Sequence, residues 1–339
     1  MILEKRIKAL NQLSQKLISQ GGVPETVVQK AKAQNPWFTD ENVQKATLEI
    51  AINFLDKTKL TQWLSTYKIP AKSSPKKIGL LLAGNIPLVG FHDVLCVIVT
   101  GHIALIKASD RDKVLLEYFL SELVNFESNF VDSFQFVERL QNYDAVIATG
   151  SDSSGRYFKK YFGKVPHIIR MNRNGVSVIY NDTSDADLEA LGKDLFGYFG
   201  LGCRNVSKVY LEQGFDIQRI FKAIEKHRDI IHHNKYKNNY DYNFAMYLLN
   251  KEDFLTNDFI VFRKHDAIAS RIAALHYSFF EDSPTLQAEL STHKMDIQCV
   301  ISDRELEGFK VFDYGKAQQP SLDDYADGVD TLEFLLSLL

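Results

Sequence analysis

The spacing of apolar residues along the chain changes near Ile78. Before it, apolar residues recur at helical spacing, first along residues 2–18 and then after Pro24 and after residues 35–39, where Thr39 suits an N-cap. From Ile78 onward, short apolar runs alternate with helical patterns, which is typical of parallel sheets covered by helices. The pattern therefore predicts an N-terminal helical segment followed by α/β structure with mainly parallel sheets.

The apolar runs after residue 78 predict a series of short strands. They span residues 78–83, 103–107, 134–137, 144–148, 167–170, 176–180, 206–211, 259–263, 272–277 and 297–301. Helical spacing predicts helices at 88–100, 111–126, 184–199 and 217–228, whereas the polar, tyrosine-rich segment 232–243 is assigned to no element. Ligands of open parallel sheets bind at the carboxyl ends of the strands. That rule directs attention to Asn85, Lys107 and Gly150–Ser151.

Composition narrows the class of protein without identifying it. The chain has 339 residues, 45% hydrophobic and 24% charged, which is enough for two domains with sizeable cores. A net charge of −3 with scattered basic residues gives no reason to expect a nucleic-acid partner. Three cysteines without paired spacing, no bilayer-spanning apolar stretch and an N-terminus unlike a signal peptide predict a cytoplasmic protein with no membrane span.

Metal binding is not expected from the histidines or cysteines. The chain has no H-E-x-x-H motif and no Cys/His cluster. His232 and His233 are adjacent, so they do not share one face of a helix. We therefore predict no metal site.

Cys203 has the sequence context of a reactive thiol. It follows a predicted helix that Gly200 and Gly202 end, and it precedes the predicted strand 206–211. Two neighbours without side chains let the backbone approach a ligand closely, and the cation of Arg204 would favour the nucleophilic thiolate. The pattern is consistent with a catalytic nucleophile.

A structural role for this thiol is the alternative, because an unpaired cysteine is often a small apolar residue of the core. Cys96 and Cys299 lie inside the apolar runs V-L-C-V-I-V and D-I-Q-C-V-I and are predicted to be buried.

Residues 150–156, G-S-D-S-S-G-R, resemble a phosphate-binding loop only in part. The two glycines have the right separation, but Arg156 and Tyr157 occupy the positions where a nucleotide triphosphatase needs Lys and Ser or Thr. The segment is therefore either a helix N-terminus that faces an anion or an ordinary capped helix.

The run Y-F-G-L-G-C-R-N-V-S-K-V-Y, residues 198–210, resembles the catalytic-cysteine segment of bacterial acyl-CoA reductases of the LuxC type, which are members of the aldehyde dehydrogenase superfamily. The similarity extends over nearly the whole chain. It includes N-P-W-F-T (35–39), A-G-N-I-P (83–87), A-T-G-S-D-S-S-G-R (148–156), I-I-R-M-N-R-N (168–174), N-N-Y-D-Y-N (238–243) and P-S-L-D-D-Y-A-D-G-V-D-T (320–331). The resemblance implies an aldehyde-dehydrogenase-like fold of two α/β domains.

The resemblance also implies a role for each matching residue. Cys203 is the nucleophile, Asn85 contributes to the oxyanion hole, Lys107 and Ser109 hold the adenosine ribose, and Thr149, Gly150 and Ser151 lie along the nicotinamide and pyrophosphate. The implied domains are 1–70, a helical segment packing on the cofactor domain; 71–172, which binds the dinucleotide; 173–312, which carries the cysteine; and 313–339, a tail returning to the cofactor domain or a subunit interface.

One departure from the superfamily concerns the base that activates water. In aldehyde-oxidising members of the superfamily this base is the glutamate of an E-L-G-G-K motif. The matching stretch here is R-M-N-R-N-G, with Met171 near the glutamate's place. No carboxylate occurs between residues 163 and 181. An acyl-cysteine would then persist until hydride or another thiol removes the acyl group. Lys164, Arg170 and Arg173 add positive charge that suits coenzyme A phosphates or, equally, a solvated basic face.

The resemblance implies NAD(P)H-dependent reduction of an acyl-CoA, expected to be a fatty acyl-CoA, to the aldehyde. NADP(H) is favoured over NAD(H), Asp266 is the candidate partner of the nicotinamide ribose, and a homodimer is expected. Two alternatives stay open: an acyl-cysteine transferase or thioesterase without redox chemistry, and a catalytically silent scaffold subunit.

Overall fold

The computed structural model describes residues 1–70, 74–150 and 152–339, apart from the side chains of residues 152–154. By its internal contacts the chain divides into two compact units. Unit 1 consists of Met1–Asn172 together with Pro320–Leu339, and unit 2 of Arg173–Gln319. Each unit has its own β-sheet.

The regular elements follow in chain order. The α-helices are α1 (Leu3–Gln20), α2 (Glu25–Gln34), α3 (Asp40–Asn53), α4 (Lys57–Ser65), α5 (Phe91–Thr100), α6 (Lys113–Phe126), α7 (Asp152–Phe162), α8 (Asp185–Phe196), α9 (Gln218–Ile224), α10 (Asn234–Leu249), α11 (Ser283–Thr292) and α12 (Thr331–Leu336). The strands are β1 (Lys77–Leu81), β2 (Ile103–Lys107), β3 (Phe134–Phe136), β4 (Ala145–Thr149), β5 (His167–Arg170), β6 (Asn174–Ile179), β7 (Val206–Glu212), β8 (Leu255–Thr256), β9 (Val261–Lys264), β10 (Ala274–Phe280), β11 (Ile297–Ile301) and β12 (Val311–Phe312). Short 3₁₀ segments lie at Ser128–Asp132, Gly197–Gly200, Glu225–His232 and Ala326–Gly328.

The sheet of unit 1 is five-stranded, with the order β3-β2-β1-β4-β5 and parallel pairing throughout. Successive residues of a strand face opposite sides. Ile78 and Leu80 therefore join the core formed with α1–α6 and α12, whereas Val146 and Ala148 pack with Phe162 of α7. Helices cover both faces, as an all-parallel sheet requires.

The C-terminal segment 320–339 packs on the rest of unit 1 through hydrogen bonds of aromatic side chains. The indole N–H of Trp63 donates to the hydroxyl oxygen of Tyr325 at 2.9 Å, and the hydroxyl of Tyr67 donates to the carboxylate of Asp330 at 2.7 Å. Leu332 and Leu335 of α12 are completely buried in the same core. The motif P-S-L-D-D-Y-A-D-G-V-D-T (320–331), part of the resemblance drawn from the sequence, thus lies in a segment with a structural role.

Arg170 connects three distant parts of unit 1. Its guanidinium forms a buried ion pair with Asp93 of α5 and donates to the Thr331 hydroxyl at 2.7 Å. Burial opposes its charge, but the Asp93 carboxylate outweighs that effect and raises the pKa of Arg170. Arg170 is only 6% exposed, so the interpretation of this residue as part of a basic face that contacts solvent or ligand was wrong.

The sheet of unit 2 is seven-stranded, with the order β12-β11-β6-β7-β10-β9-β8, and its pairs are parallel except β8 with β9. β7 lies at the centre, and Val206–Leu211 are all buried. α11 covers one face, where Leu286 and Leu290 contact Val176 and Tyr210 in one core cluster.

The predicted α/β architecture, with mainly parallel sheets and N-terminal helices, is confirmed. The principal difference is α10, which occupies the tyrosine-rich segment that was assigned to no element. Its buried residues are Tyr236, Tyr240, Asn243 and Tyr247, which recur at helical spacing. The helix predicted to run to Phe199 ends at Phe196, because the backbone turns left-handed at Tyr198 and Phe199. Over the described residues, no helix has both the length and the apolar character needed to cross a bilayer.

Replacing Arg170 with Met is expected to destabilise unit 1 strongly, because it leaves the buried Asp93 carboxylate without a cation. The expected loss is about 3–5 kcal/mol of unfolding free energy. Both tryptophans of the chain, Trp37 and Trp63, belong to unit 1, so urea unfolding followed by tryptophan fluorescence reports this unit. Lys113→Met removes a half-exposed ion pair with Glu117 of the same unit and is the matched control, with an expected loss below about 1 kcal/mol. Equal losses in the two variants would contradict the assignment.

Candidate functional site

The carboxyl ends of β1, β2 and β4 lie side by side in unit 1. Leu81, the last residue of β1, pairs with Lys107 of β2 and with Ala148 of β4. The strand order changes direction at β1 and β4, since β2 and β3 follow on one side and β5 on the other. A crevice at such a switch point is where open α/β sheets bind ligands.

The structure brings most of the predicted cofactor residues to this edge. Lys107 ends β2, Ser109 lies two residues beyond it, and Thr149 ends β4; all three are half-buried. Gly150 follows β4, and its N–H donates to the carbonyl of Arg170 at 3.2 Å. Ser151 lies outside the described residues. The contacts of these residues with a cofactor remain predictions.

Asn85 lies half-buried in the turn between β1 and α5. The turn is fixed from two directions. The side-chain amide of Asn35 donates to the carbonyl of Gly84 at 3.1 Å, and the carboxylate of Asp112 accepts from the N–H of Leu88 at 2.7 Å. Because Asn35 is the first residue of the N-P-W-F-T motif, this motif helps to position the turn that carries Asn85.

Gly84 is required by a close approach between the two loops of this edge. A Cβ atom at residue 84 would lie 2.6 Å from the Cβ and Oγ of Ser109, which is too close for any side chain. The loop after β1 is therefore packed directly against the loop after β2. This packing brings Asn85 and Ser109 onto neighbouring loops.

Asp112 is a buried carboxyl group at the base of the same edge. Burial raises its pKa well above the usual range for aspartate, while the N–H groups of Leu88 and Val89 oppose that shift. Its Oδ1 atom has no hydrogen-bond partner among the residues that the structure describes. Asp112 and Ser109 line one small cavity together with Ala83.

In unit 2, Cys203 lies on the loop between the 3₁₀ turn Gly197–Gly200 and β7, and it is half-buried. The preceding backbone is left-handed at Tyr198 (φ 50°), Phe199 (φ 62°) and Gly200 (φ 78°). Two of these residues are not glycine, and each left-handed residue of that kind costs about 1–2 kcal/mol. Such a conformation persists only where the surroundings hold it.

Aromatic packing holds this left-handed turn. The ring of Phe199 stacks on His233 with a centroid distance of 4.1 Å and an interplanar angle of 28°. Tyr198 is buried. His233 also caps α10, because its Nδ1 accepts from the N–H of Tyr236 at 3.4 Å. The turn before Cys203 is therefore fixed by α10.

Arg204 was expected to provide a cation beside the thiol. In the structure its side chain is buried: the guanidinium donates to the carbonyl of Ala317 at 3.4 Å and lies 5.2 Å from the ring centroid of Phe312. The predicted burial of Cys96 and Cys299 is confirmed, with exposures of 0% and 2%.

A cavity of about 50 Å³ adjoins the cysteine loop in unit 2. Its lining comes from the turn before Cys203, the start of β7, α10 and the loop before β10, including Phe199, Gly200, Asn205, Tyr236, Arg271 and Ala273. Asn205 presents a buried Oδ1 atom with no hydrogen-bond partner within the described part of the chain. Sequence reasoning missed this residue, although its position two residues after the thiol is a signal that could have been used.

A family model for acyl-CoA reductase (LuxC) matches residues 11–227 of this chain. The chain belongs to the acyl-CoA reductase family. The matched region includes Asn85, Lys107 and Cys203, so the LuxC-type resemblance drawn from the motifs is confirmed.

A curated relative of this family member is the long-chain acyl-protein thioester reductase of Aliivibrio fischeri. The two are 23% identical over 262 residues, which cover 71% of this chain and 54% of the relative. The chain thus spans about half the length of the curated relative that it matches.

Solved aldehyde dehydrogenases have the same fold as this LuxC-family chain. Aldehyde dehydrogenase 21 from Physcomitrella patens, in complex with succinate, aligns with a TM-score of 0.70 and 12% identity, covering 99% of this chain and 84% of that one. The glyceraldehyde-3-phosphate dehydrogenase of Methanocaldococcus jannaschii, complexed with NADP, aligns with a TM-score of 0.66 and 12% identity over 93% and 82% of the two chains. The expected aldehyde-dehydrogenase-like fold is confirmed.

Asp112 is expected to make stability depend on pH. A carboxyl group with a raised pKa in the folded state keeps its proton where the unfolded chain has lost it. Its contribution to the unfolding free energy therefore falls as the pH rises from about 4, the unfolded value, through the folded pKa. Asp112→Asn keeps an acceptor for the Leu88 N–H but does not titrate.

We therefore expect the unfolding free energy of Asp112→Asn, relative to that of the wild type, to be higher at pH 8 than at pH 5. Urea unfolding at both values measures it. Asp110→Asn, an exposed residue of the same loop, separates burial from the general loss of a charge. A difference for Asp112→Asn that is the same at both pH values would contradict the buried, protonated carboxyl group.

Proposed function

We propose that this chain reduces an acyl thioester to the aldehyde with NAD(P)H, through an acyl intermediate on Cys203. The observation that carries the proposal is membership of the acyl-CoA reductase family through a region that includes the Cys203 loop. The half-buried position of the thiol supports it, and so does its loop, which follows a left-handed turn and adjoins a cavity through Gly200 and Asn205. The strain of such a turn is common at functional sites.

In the proposed first step, the Cys203 thiolate attacks the carbonyl carbon of the acyl thioester and forms a tetrahedral oxyanion. The carbon–sulfur bond to the carrier then breaks, and the carrier leaves as a thiolate that takes up a proton. The product is an acyl-Cys203 thioester. This step exchanges one thioester for another, so it needs no oxidant or reductant.

Asn85 is proposed to donate its side-chain amide to the oxyanion, together with the backbone N–H at the cysteine. Such donors stabilise charge that develops in the transition state. The bonds that Asn35 and Asp112 make to Gly84 and Leu88 support this role, because they fix the turn that carries Asn85. A preorganised donor costs no rearrangement during the reaction.

The edge of the unit 1 sheet fits a dinucleotide. Lys107 and Ser109 are proposed to hold the adenosine ribose, and Thr149, Gly150 and Ser151 to lie along the nicotinamide and pyrophosphate. The glycine at position 84 lets the loops after β1 and β2 pack closely at the switch point, where a side chain would collide with Ser109. When bound, the reduced nicotinamide supplies the hydride; we favour NADP(H) over NAD(H).

Release of the aldehyde follows from the same thiol. Addition of hydride to acyl-Cys203 leaves a thiohemiacetal, which collapses to the aldehyde and regenerates the Cys203 thiolate. No carboxylate occurs between residues 163 and 181, the region matching the base of aldehyde-oxidising enzymes. This region therefore supplies no base that would activate water to hydrolyse the acyl-enzyme.

The acyl donor is proposed to be a fatty acyl-CoA. The name of the Aliivibrio fischeri relative, an acyl-protein thioester reductase, makes a protein-bound acyl thioester the second candidate. Both donors transfer the same acyl group to the same thiol.

Replacing Cys203 with Ala is expected to abolish both acyl transfer and NADPH consumption, because no other described cysteine is more than 2% exposed. NADPH absorbance is followed with a panel of acyl-CoAs, and labelled acyl groups are counted on the protein. Cys299→Ala removes a buried thiol of the same unit and should retain both signals. Turnover by Cys203→Ala equal to wild type would refute the nucleophile.

Replacing Asn85 with Ala is expected to lower kcat about 10²–10³-fold with a smaller change in KM, the effect of losing one oxyanion donor. Steady-state kinetics with a saturating acyl-CoA measures it. Asn125→Ala, an exposed amide on α6, is the control. A change in KM alone would instead assign Asn85 to substrate binding.

The same assays separate the two alternatives. A burst of released coenzyme A without NADPH consumption would indicate a transferase or thioesterase. An unreactive Cys203 together with no dinucleotide binding in calorimetry would indicate a scaffold subunit.

A further inference from the structure

The loop 265–273 joins β9 to β10 in unit 2, and side chains of β7 and β10 hold the backbone of its first half. Three successive carbonyl groups each accept one hydrogen bond. Asp266 O accepts from Lys208 Nζ at 2.8 Å, Ala267 O from His276 Nδ1 at 2.8 Å, and Ile268 O from Ser207 Oγ at 2.7 Å. Three consecutive carbonyls therefore face the sheet.

The donors of this arrangement are buried and held in place. Lys208 is fully buried, and its ammonium lies 3.2 Å from the Glu289 carboxylate and 4.6 Å from the ring centroid of Tyr210. His276 is 5% exposed, and Ser207 is 2% exposed. The buried ammonium, itself paired with a carboxylate, donates a charge-assisted hydrogen bond to a loop carbonyl and thereby fixes the position of the loop.

Planar trans peptides then determine where the loop N–H groups point. In a trans peptide the C=O of one residue and the N–H of the next point in opposite directions. The N–H groups of Ala267, Ile268 and Ala269 therefore point away from the strands. Ala267 N donates to His265 Nδ1 at 3.1 Å, and for the other two the described part of the chain offers no acceptor. The loop thus presents a short row of peptide donors.

A cavity of about 190 Å³ adjoins the loop, and its lining is basic. The lining includes Arg263, Arg271, His265, His276, Glu252 and the exposed residue Ala269. Arg263 is paired with Glu252 and lies over the ring of Tyr247. Arg271 lies 5.8 Å from the ring centroid of Tyr242 and has no carboxylate in ion-pair distance among the described residues.

The balance of charge and donors favours an anion. Two guanidinium groups face one carboxylate, so the lining carries a net positive charge. His265 accepts at Nδ1, so in the neutral ring Nε2 carries the proton and is a further donor. Arginine forks and successive peptide N–H groups are the donors that bind phosphate oxygens in proteins.

We propose that this cavity is a phosphate-binding site, formed by the peptide N–H group of Ala269 with Arg271 and Arg263. Its volume of about 190 Å³ is well above the roughly 10–15 Å³ that a single water molecule needs on the same measure, which leaves room for the phosphate and the atoms attached to it. The ligand class is a compound with a terminal phosphate group. Under the proposed function, coenzyme A qualifies through its 3′-phosphate, whereas the 2′-phosphate of NADPH is attached to the adenosine ribose, which is proposed to bind at Lys107 and Ser109 of unit 1.

Inorganic phosphate is the first probe, titrated calorimetrically into the full chain. Arg271→Ala is expected to weaken phosphate binding at least about 10-fold, the loss of one charge-assisted bond. Lys264→Ala removes one exposed charge next to the cavity without touching its lining and should bind phosphate as the wild type does. No binding to the wild type, or equal binding by Arg271→Ala, would overturn the site.

Paired ligands identify the source of the phosphate. The Arg271→Ala penalty is measured for coenzyme A against its 3′-dephospho form and for NADPH against NADH. A penalty for coenzyme A that disappears without the 3′-phosphate supports the site and names its ligand. The same penalty with and without that phosphate, or a penalty that disappears between NADPH and NADH, overturns the assignment. Phosphate binding needs no turnover and should persist in Cys203→Ala, so its failure is distinguishable from failure of the reductase.

Discussion

Parallel pairing of the strands is the constraint on which the arrangement of both units depends. In unit 1 it brings the last residues of β1, β2 and β4 to a single edge, so residues far apart in sequence become neighbours. It also requires helices on both faces, since a parallel sheet is buried on both sides. The chemistry proposed for unit 1 is thereby confined to loops at that edge.

Loops at such an edge need their own support, because backbone polar groups are costly to bury without partners. Side chains from outside the loops provide it in both units. Asn35 and Asp112 hold the turn that carries Asn85, and Ser207, Lys208 and His276 hold the loop after β9. In each case buried polar residues account for the position of a loop that is less buried than they are.

Sequence periodicity was informative where aliphatic residues carried it. The strand around β7 was predicted from its β-branched and aromatic residues, and the strand ends then indicated Asn85 and Lys107. The pattern failed at α10, because three of its four buried side chains are tyrosines, whose rings pack inside although their hydroxyl groups make the segment polar.

Local sequence patterns could not predict contacts between residues that are far apart in the sequence. Asn35 acts on Gly84 and Lys208 on Asp266, and no spacing rule connects either pair. Arg170 illustrates the same limit, since its charge suggested solvent while Asp93 and Thr331 enclose it. The roles of Cys203 and Asn85 came from motif similarity, which describes chemistry without describing contacts.

The division of unit 1 into two stretches of sequence has a consequence for biosynthesis. Residues 320–339 leave the ribosome only after all of unit 2, a delay on the order of ten seconds at elongation rates of about 5–20 residues per second. Until then, the surface that receives Leu332 and Leu335 stays uncovered and Arg170 lacks the Thr331 hydroxyl. The nascent chain therefore has an incomplete core in unit 1 while the core of unit 2 can already form. Premature termination would expose the apolar surface that Leu332 and Leu335 cover to chaperones and proteases.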